Sequence, residues 1–259
     1  MLVDIHNHIL FGLDDGAQTS QDSIQMAKQA AENGITHIIA TPHHKNGKYN
    51  NPSSTVQSRV EEVNQLLNIN NIPLTVVPGM EISLYADLIN DIKSKTNDLL
   101  TLNRTGKYVL IELPDLYIPA NTEMFFYELQ IAGLVPIIAH AERNAEFYKD
   151  PNRLYTFIQK GALAQITAGS LIGTFGKKLE TFSAKLLKYH LAHFIASDAH
   201  NVNRRGSNIQ AAYTYLEKQF SASFADYFRD NAIKILKGED FTVIQPKKFV
   251  KKRWFFNFT

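Results

Sequence analysis

Two histidines separated by one residue, His6 and His8, stand near the start of the chain, and Asp198-Ala199-His200 repeats that spacing far downstream. In extended chain, residues two apart point the same way at about 7 Å along the backbone, so each pair can converge on one ion. Between them lie His43, Glu81, Glu112 and His140, with His44 beside His43 and an Asp14-Asp15 doublet after the first pair. Imidazole nitrogens mixed with carboxylate oxygens suit Mn, Zn, Fe or Mg, and affinity order alone does not choose among these metals. Several divalent ions in one place repel, so carboxylates, above all a bridging Glu, are needed to neutralise them. Clustered ions acidify bound water and stabilise both the attacking and the leaving oxygen of a phosphoryl transfer. The residue types therefore point to metal-assisted hydrolysis of a phosphate ester.

Two arginine positions suit the same chemistry. Arg143 lies three residues beyond His140, and Arg204 and Arg205 closely follow His200. A guanidinium binds phosphate oxygens in a bidentate fork. Surface ion pairing is the alternative for each, and spacing does not choose between Arg204 and Arg205. His44 is open between metal ligand, support for a ligand and substrate contact. His37, His190 and His193 fall outside the pattern and are read as ordinary structural or surface residues.

The elements that must position these groups alternate between short apolar runs and helical patterns. Strands are expected at Leu2–Ile5, Thr36–Ala40, Leu74–Val77, Tyr108–Ile111, Val135–Ala139, Ala164–Thr167 and His193–Ala196. Helices are expected from a Ser20 cap to about Asn33, and over Thr55–Leu67, Glu123–Ala132, Asn152–Lys160, Leu179–Tyr189, Ile209–Lys218 and Phe224–Leu236. Several stop at a glycine, as at Gly34, Gly133, Gly161 and Gly238. Near-continuous apolar strands separated by helices imply a buried parallel sheet, and seven of them imply a closed or nearly closed α/β barrel. Every candidate ligand then sits at the C-terminal end of a strand or in the loop beyond it, where such barrels build their sites. Leu84–Thr105 is the least legible stretch and is read as an insertion over the barrel rim.

Composition narrows the chemistry further. Among 259 residues there is no cysteine, which excludes disulfides, thiolate metal sites and cysteine nucleophiles. Hydrophobic residues at 44% and charged residues at 20% are the balance of a globular chain with a real core. The N-terminal residues lack the basic and apolar regions of a signal peptide, and no apolar run reaches membrane-spanning length, so a cytoplasmic location is expected. Five of the 27 lysines and arginines, Lys247, Lys248, Lys251, Lys252 and Arg253, fall in a terminal stretch without acids, and the other 22 face 25 acidic residues. The basic pI belongs to this tail and gives no argument for nucleic-acid binding.

Taken together, Asp4-Ile-His6-Asn-His8, Asp14-Asp15-Gly16, Ala40-Thr-Pro-His43-His44, Gly79-Met-Glu81-Ile82, Ile111-Glu112, His140-Ala-Glu-Arg143-Asn144 and Ser197-Asp198-Ala-His200-Asn201 resemble the polymerase and histidinol phosphatase (PHP) superfamily. Within it the chain is similar to the manganese-dependent protein-tyrosine phosphatases of bacterial capsule and exopolysaccharide operons, the CpsB/CapC family, from residue 2 to about 245. The resemblance implies a distorted (β/α)7 PHP barrel in one domain, residues 1–245, holding three divalent ions, manganese foremost. His6, His8, Glu81 and Asp198 would hold the first, Glu81, Glu112 and His140 the second, and Asp14, His43 and His200 the third. Many superfamily members carry histidine where Asp14 and Glu112 stand. Arg143 and Arg205 match the phosphate-binding arginines, and Ala141 departs from the proline usual in this branch. The implied activity is hydrolysis of phosphotyrosine without a phospho-enzyme, on the tail of a phosphorylated bacterial tyrosine kinase that controls polysaccharide export. A small-molecule phosphatase such as histidinol-phosphate phosphatase, or a non-catalytic regulator docking the kinase, are the alternatives. The tail, residues 246–259 with Trp254, Phe255, Phe256 and Phe258, is read as a contact to the inner membrane surface, as a disordered end, or as aromatics that pack on the barrel or in an oligomer contact.

Overall fold

A computed structural model describes residues 1–85, 87–94 and 99–250, with only the backbone at 93 and 94. Among the described residues nine strands, all paired in parallel, follow one another around a curled sheet: β1 (Val3–Asn7), β2 (His37–Ala40), β3 (His43–His44), β4 (Thr75–Pro78), β5 (Glu81–Ser83), β6 (Tyr108–Glu112), β7 (Val135–Ile138), β8 (Leu163–Thr167) and β9 (Phe194–Ala196). β1 pairs with β2 and β2 with β4, while the order β3-β5-β6-β7-β8-β9 continues the ring. An isolated parallel bridge from Asn7 to Ala199, carried by His8 N–H to the Ala199 carbonyl at 2.9 Å, returns the last strand to the first. The expected distorted (β/α)7 barrel is therefore present.

Seven strands become nine because two are broken at the same height. Thr41-Pro42 separates β2 from β3, and Gly79-Met80 separates β4 from β5. Pro42 has no N–H to offer a ladder. Gly79 lies so close to the β2 strand that a Cβ would meet the Ile39 side chain at 2.8 Å. The two extra strands, of two and three residues, carry too little pattern to be read from sequence. They matter because each begins with a candidate ligand, His43 in one and Glu81 in the other, held in register opposite each other.

Helices cover the outside: α1 (Ser20–Glu32), α2 (Ser53–Ile69), α3 (Leu88–Ser94), α4 (Thr122–Ile131), α5 (Ala145–Lys149), α6 (Pro151–Gln159), α7 (Ala168–Leu171), α8 (Lys177–Lys188), α9 (Ile209–Gln219) and α10 (Ala222–Lys237). Thr19 rather than Ser20 caps α1, because it keeps extended backbone and trades hydrogen bonds with Asp22 in a capping box. The described residues of Leu84–Thr105 do not read as an insertion over the rim. They are the crossover from β5 to β6, with α3, a 3-10 turn at Leu102–Arg104, and Leu88, Leu100 and Leu102 buried. Inside the barrel, Val3, Ile5, Ile39, Leu110, Ile137, Leu163 and Phe194 pack together, and Ala232, Ile235 and Leu236 of α10 close the end where the strands begin. The opposite end is left to polar residues.

His193, at the start of β9, shows what a structural histidine does here. Its Nδ1 accepts from Ala164 N–H at 3.0 Å and its backbone N–H donates to the Ala164 carbonyl at 2.8 Å, stitching β9 to β8. Asn231 of α10 donates to its carbonyl. Burial pushes the imidazole pKa down to about 4, so it is neutral in the folded chain. The unfolded chain takes up a proton near 6.5, so stability is full above that pH and falls as pH drops from 6.5 to 4, by about 3 kcal/mol at the end of that window. His193→Asn keeps an acceptor near the same place and is expected to flatten the dependence of the urea midpoint on pH across that window. An unchanged slope would show that His193 carries none of it.

Candidate metal centre

The polar end of the barrel gathers side chains from six of the seven strand positions. His6 lies in β1 and His8 just beyond it, where the pairing with β2 shifts register between Asp4 and Asn7. Such a bulge re-aims the side chains around it. His43 and Glu81 begin β3 and β5, Glu112 ends β6, His140 follows β7, and Asp198 and His200 follow β9. His140 and Asp198 have φ of 29° and 50°, left-handed values uncommon for residues with a Cβ.

Glu81 is the hub, wholly buried. Its Oε2 lies 3.3 Å from His6 Nε2, 3.4 Å from His8 Nε2 and 3.0 Å from His43 Nδ1, and its Oε1 lies 2.9 Å from His140 Nε2. Asp198 Oδ1 stands 3.4 Å from Nε2 of both His6 and His8. Glu112 reaches His43 at 3.4 Å and His140 at 3.8 Å. Three overlapping groups have donor atoms close enough to share an ion: His6, His8 and Glu81; His43, Glu81 and Glu112; and His8, Asp15, His43 and His200.

The last group contains Asp15 where the sequence reading places Asp14. Asp15 Oδ1 lies 3.4 Å from Nε2 of both His43 and His200. Asp14 is turned inward with both oxygens engaged: Oδ1 accepts from Gly16 N–H at 2.9 Å, and Oδ2 meets His8 Nδ1 at 2.6 Å and His43 N–H at 3.0 Å. Neighbouring residues in so tight a loop point opposite ways, and Gly16 makes the loop possible, since a Cβ there would collide with the backbone of His8. Asp14 thus orients two histidines, and Asp15 faces the third group.

Hydrogen bonds on the far side of the rings decide what the near side can hold. His6 Nδ1 meets Gln165 Oε1 at 3.2 Å and His8 Nδ1 meets Asp14. Both partners are acceptors, so both Nδ1 atoms carry their protons, and the two Nε2 atoms face each other 3.1 Å apart. Such a pair is at ease only with a proton or a cation between or beside it. Burial by itself would neutralise His8, His43 and His140, yet surrounding carboxylates raise all three. Burial likewise opposes charge on Glu81 and Asp198, and the imidazoles and Arg143 hold both well below the usual carboxylate range. His43 Nδ1, Glu81 Oε2 and His200 Nε2 are buried without a hydrogen-bond partner. A field that draws protons onto histidines draws divalent cations in their place, so the donor set fits metal ions.

Two guanidinium groups border this cluster. Arg143 Nη1 lies 2.7 Å from Asp198 Oδ2, and Arg205 Nη2 lies 3.1 Å from the same oxygen. Arg205 also approaches Asp15, whereas Arg204 is exposed. His44 turns its Nδ1 to the Asn51 carbonyl at 2.9 Å and belongs to none of the three groups.

The family model for capsular polysaccharide synthesis, CpsB/CapC, matches residues 2–237. The chain belongs to the CpsB/CapC family. Tyrosine-protein phosphatase YwqE of Bacillus subtilis is 45% identical over 258 residues, 99% of this chain and 100% of that one. Tyrosine-protein phosphatase CpsB of Streptococcus pneumoniae is 28% identical over 92% of this chain and 99% of that one. A crystal structure from work on YwqE and CpsB, described there as unique metal-dependent tyrosine phosphatases, has a TM-score of 0.93 at 44% identity, covering 96% of this chain and 100% of that one. In this CpsB/CapC member the network beneath the ligands is continuous. Asp4 accepts from Ser197 Oγ and Ser197 N–H at 2.5 and 3.0 Å and from Asn7 at 2.9 Å, tying β1 to the Asp198 loop. Gln165, a polar residue inside an apolar strand, also receives His140 N–H at 2.8 Å. Neither Asp4 nor Gln165 was singled out as a site residue, although a lone Gln facing a barrel interior is a signal.

Asp15→Ala is expected to lower the content of divalent metal in elemental analysis after gel filtration. Asp14→Ala is expected to weaken binding more broadly, because it releases His8 and His43. If Asp14→Ala alone lost one ion and Asp15→Ala none, the assignment of the third group would be reversed.

Proposed function

We propose that this chain is a metal-dependent protein-tyrosine phosphatase whose substrate is phosphotyrosine on a phosphorylated bacterial tyrosine kinase of a capsule or exopolysaccharide system. The observation that carries the reading is the union, in one cleft, of three overlapping histidine–carboxylate groups with Arg143 and Arg205. Full-length similarity to tyrosine-protein phosphatase YwqE supports it.

Three divalent ions would be held by His6, His8, Glu81 and Asp198; by Glu81, Glu112 and His140, with His43 beside them; and by Asp15, His43 and His200. The carboxylate share of this set favours manganese. Bound there, they would supply a water acidic enough to attack phosphorus and positive charge for the phosphoryl oxygens. The chain's own residues do the rest. Arg143 and Arg205 grip the equatorial oxygens as charge builds. Arg143 is kept aimed by Asp198 on one side and by the Phe175 ring, 5.3 Å away, on the other. Burial lowers the His200 pKa to about 4, so it stays neutral and available as a donor at working pH. The leaving phenol has a pKa of about 10, far below that of an alkyl alcohol, so the tyrosine phenolate departs with little protonation. Such a site hydrolyses aryl phosphates without a strong general acid.

Arg143→Ala is expected to lower kcat/KM for a phosphotyrosyl peptide by about a hundredfold while leaving manganese content near the wild-type value. Asp198→Ala is expected to lose both metal and turnover. Retained turnover in Asp198→Ala would overturn the metal-dependent account built on that residue, no turnover by the metal-loaded wild-type chain would leave a non-catalytic docking role, and a strong preference for histidinol phosphate over the peptide would favour a small-molecule phosphatase.

A further inference from the structure

The loop from β3 to α2, residues 45–52, lies at the end of the barrel that holds the candidate ligands, and it is tied down at several points. Asn46 Oδ1 accepts from Lys48 N–H at 3.1 Å and from Tyr49 N–H at 2.8 Å, closing a turn. Asn51 is buried, and its side-chain amide donates to the Leu13 carbonyl at 3.0 Å and to the His43 carbonyl at 2.8 Å. Its own carbonyl accepts from His44 Nδ1 at 2.9 Å. His44, outside the three metal groups, thus fastens the far end of the loop to β3.

These ties hold one aromatic side chain against the metal centre. The Tyr49 ring lies parallel to the His43 imidazole, with 5° between the planes and 6.1 Å between the centroids, an offset arrangement. Tyr49 is only half-buried, so part of its ring is surface beside the donor atoms. Lys48 is exposed and keeps its ammonium group 4.7 Å from the Tyr49 centroid. A ligand can displace that cover at the loss of one weak contact. Asn46 also lines a cavity of about 460 Å³, which opens between this loop and the ends of β5 and β6 at Ser83, Glu112 and Pro114. Room for a bulky group on a bound phosphate therefore adjoins both a candidate ligand, Glu112, and the loop that carries Tyr49. Phe175, the ring beside Arg143, is already engaged. It packs on Gly169, where a Cβ would meet it at 2.8 Å, and it carries the Arg143 guanidinium at 5.3 Å.

We propose that Tyr49 selects the substrate by receiving its aryl ring. The inference rests on the phosphotyrosine reading of the same site and names the residue that recognises the ring. An aryl group against Tyr49 gains a ring–ring contact and buries apolar surface, and the short alkyl chain of phosphoserine offers little of either. Selection then acts twice. The acidity of the phenol favours aryl esters in the chemical step, and Tyr49 favours them in binding.

The test is competitive inhibition of the manganese-loaded full chain by benzylphosphonate and by methylphosphonate. Neither is hydrolysed, so the leaving group drops out of the comparison. The wild-type chain is expected to bind benzylphosphonate more tightly. Tyr49→Ala is expected to reduce that preference by about tenfold, with metal content near the wild-type value. Tyr49→Phe should retain the preference, and Tyr49→Leu, which keeps bulk over His43, should lose most of it. A wild-type chain with no preference would overturn the proposal. So would a Tyr49→Ala chain that binds both inhibitors equally weakly relative to wild type, since Tyr49 would then only support His43. Both results leave turnover of a phosphotyrosyl peptide by the wild-type chain untouched. A metal-loaded wild-type chain that turns over no aryl phosphate would instead remove the phosphatase reading, and this proposal with it. Should Tyr49→Ala lose metal or fail to fold, the ratio of the two inhibition constants in Tyr49→Leu against Tyr49→Phe decides in the same way.

Discussion

A carboxylate with no access to water, Glu81, is surrounded by imidazoles from His6, His8, His43 and His140, none farther than 3.4 Å from it. Burying a charge is costly unless it is paired. Four partners from three other parts of the sheet must therefore arrive together, and a chain that loses one leaves the charge exposed to that cost. The upper half of the barrel is organised around meeting this requirement. Strands β2 and β4 break at one level so that His43 and Glu81 begin new strands facing each other. The bulge in β1 brings His6 and His8 to the same point.

Below the ligands, polar residues fix what the strands only bring near. Asp4, Asn7 and Ser197 join β1 to the loop that carries Asp198 and His200, and Gln165 reaches both His6 and the backbone of His140. His140 and Asp198 keep left-handed backbone, a conformation that persists only where surroundings over-determine it. Both also hold the residues that face the arginines or the hub. The strain and the function occupy the same two positions, and the hydrogen bonds beneath them supply the restraint.

The barrel was legible because buried parallel strands read as apolar runs bounded by helices. The convergence of the candidate ligands on one end of the barrel was legible because histidine and carboxylate recur at the ends of those runs. What escaped was of a different kind. β3 and β5 are too short to show a period and depend on Pro42 and Gly79 for their breaks. Asp14 and Asp15 are the same residue type one step apart, and only the turn at Gly16 decides which faces His43 and which faces His8. Arg205 was separable from Arg204 only by the fold of the loop after His200. The apolar period of Leu84–Thr105 is weak because its described part connects β5 to the neighbouring β6 through a short helix and a 3-10 turn, so it resembled an insertion. The terminal aromatics Trp254, Phe255, Phe256 and Phe258 lie outside the described residues, and the packing that is seen involves Phe249 instead.

Asp198 connects the two halves of the chemistry. Its Oδ1 faces His6 and His8 and also accepts from Arg205 at 3.3 Å, while its Oδ2 holds both Arg143 and Arg205. With its charge undivided, the carboxylate competes with any phosphate for the two guanidinium groups. Were a divalent cation held on the histidine side, less of this charge would remain for the arginines, and phosphoryl oxygens would gain the stronger claim on them. Metal occupancy and affinity for phosphate would then be coupled through a single side chain, and coupling of this kind runs equally in both directions. A phosphate in the cleft would tighten that metal group as much as the metal tightens phosphate. This gives Asp198 a role that its neighbours do not share, because no other carboxylate in the cluster touches both arginines.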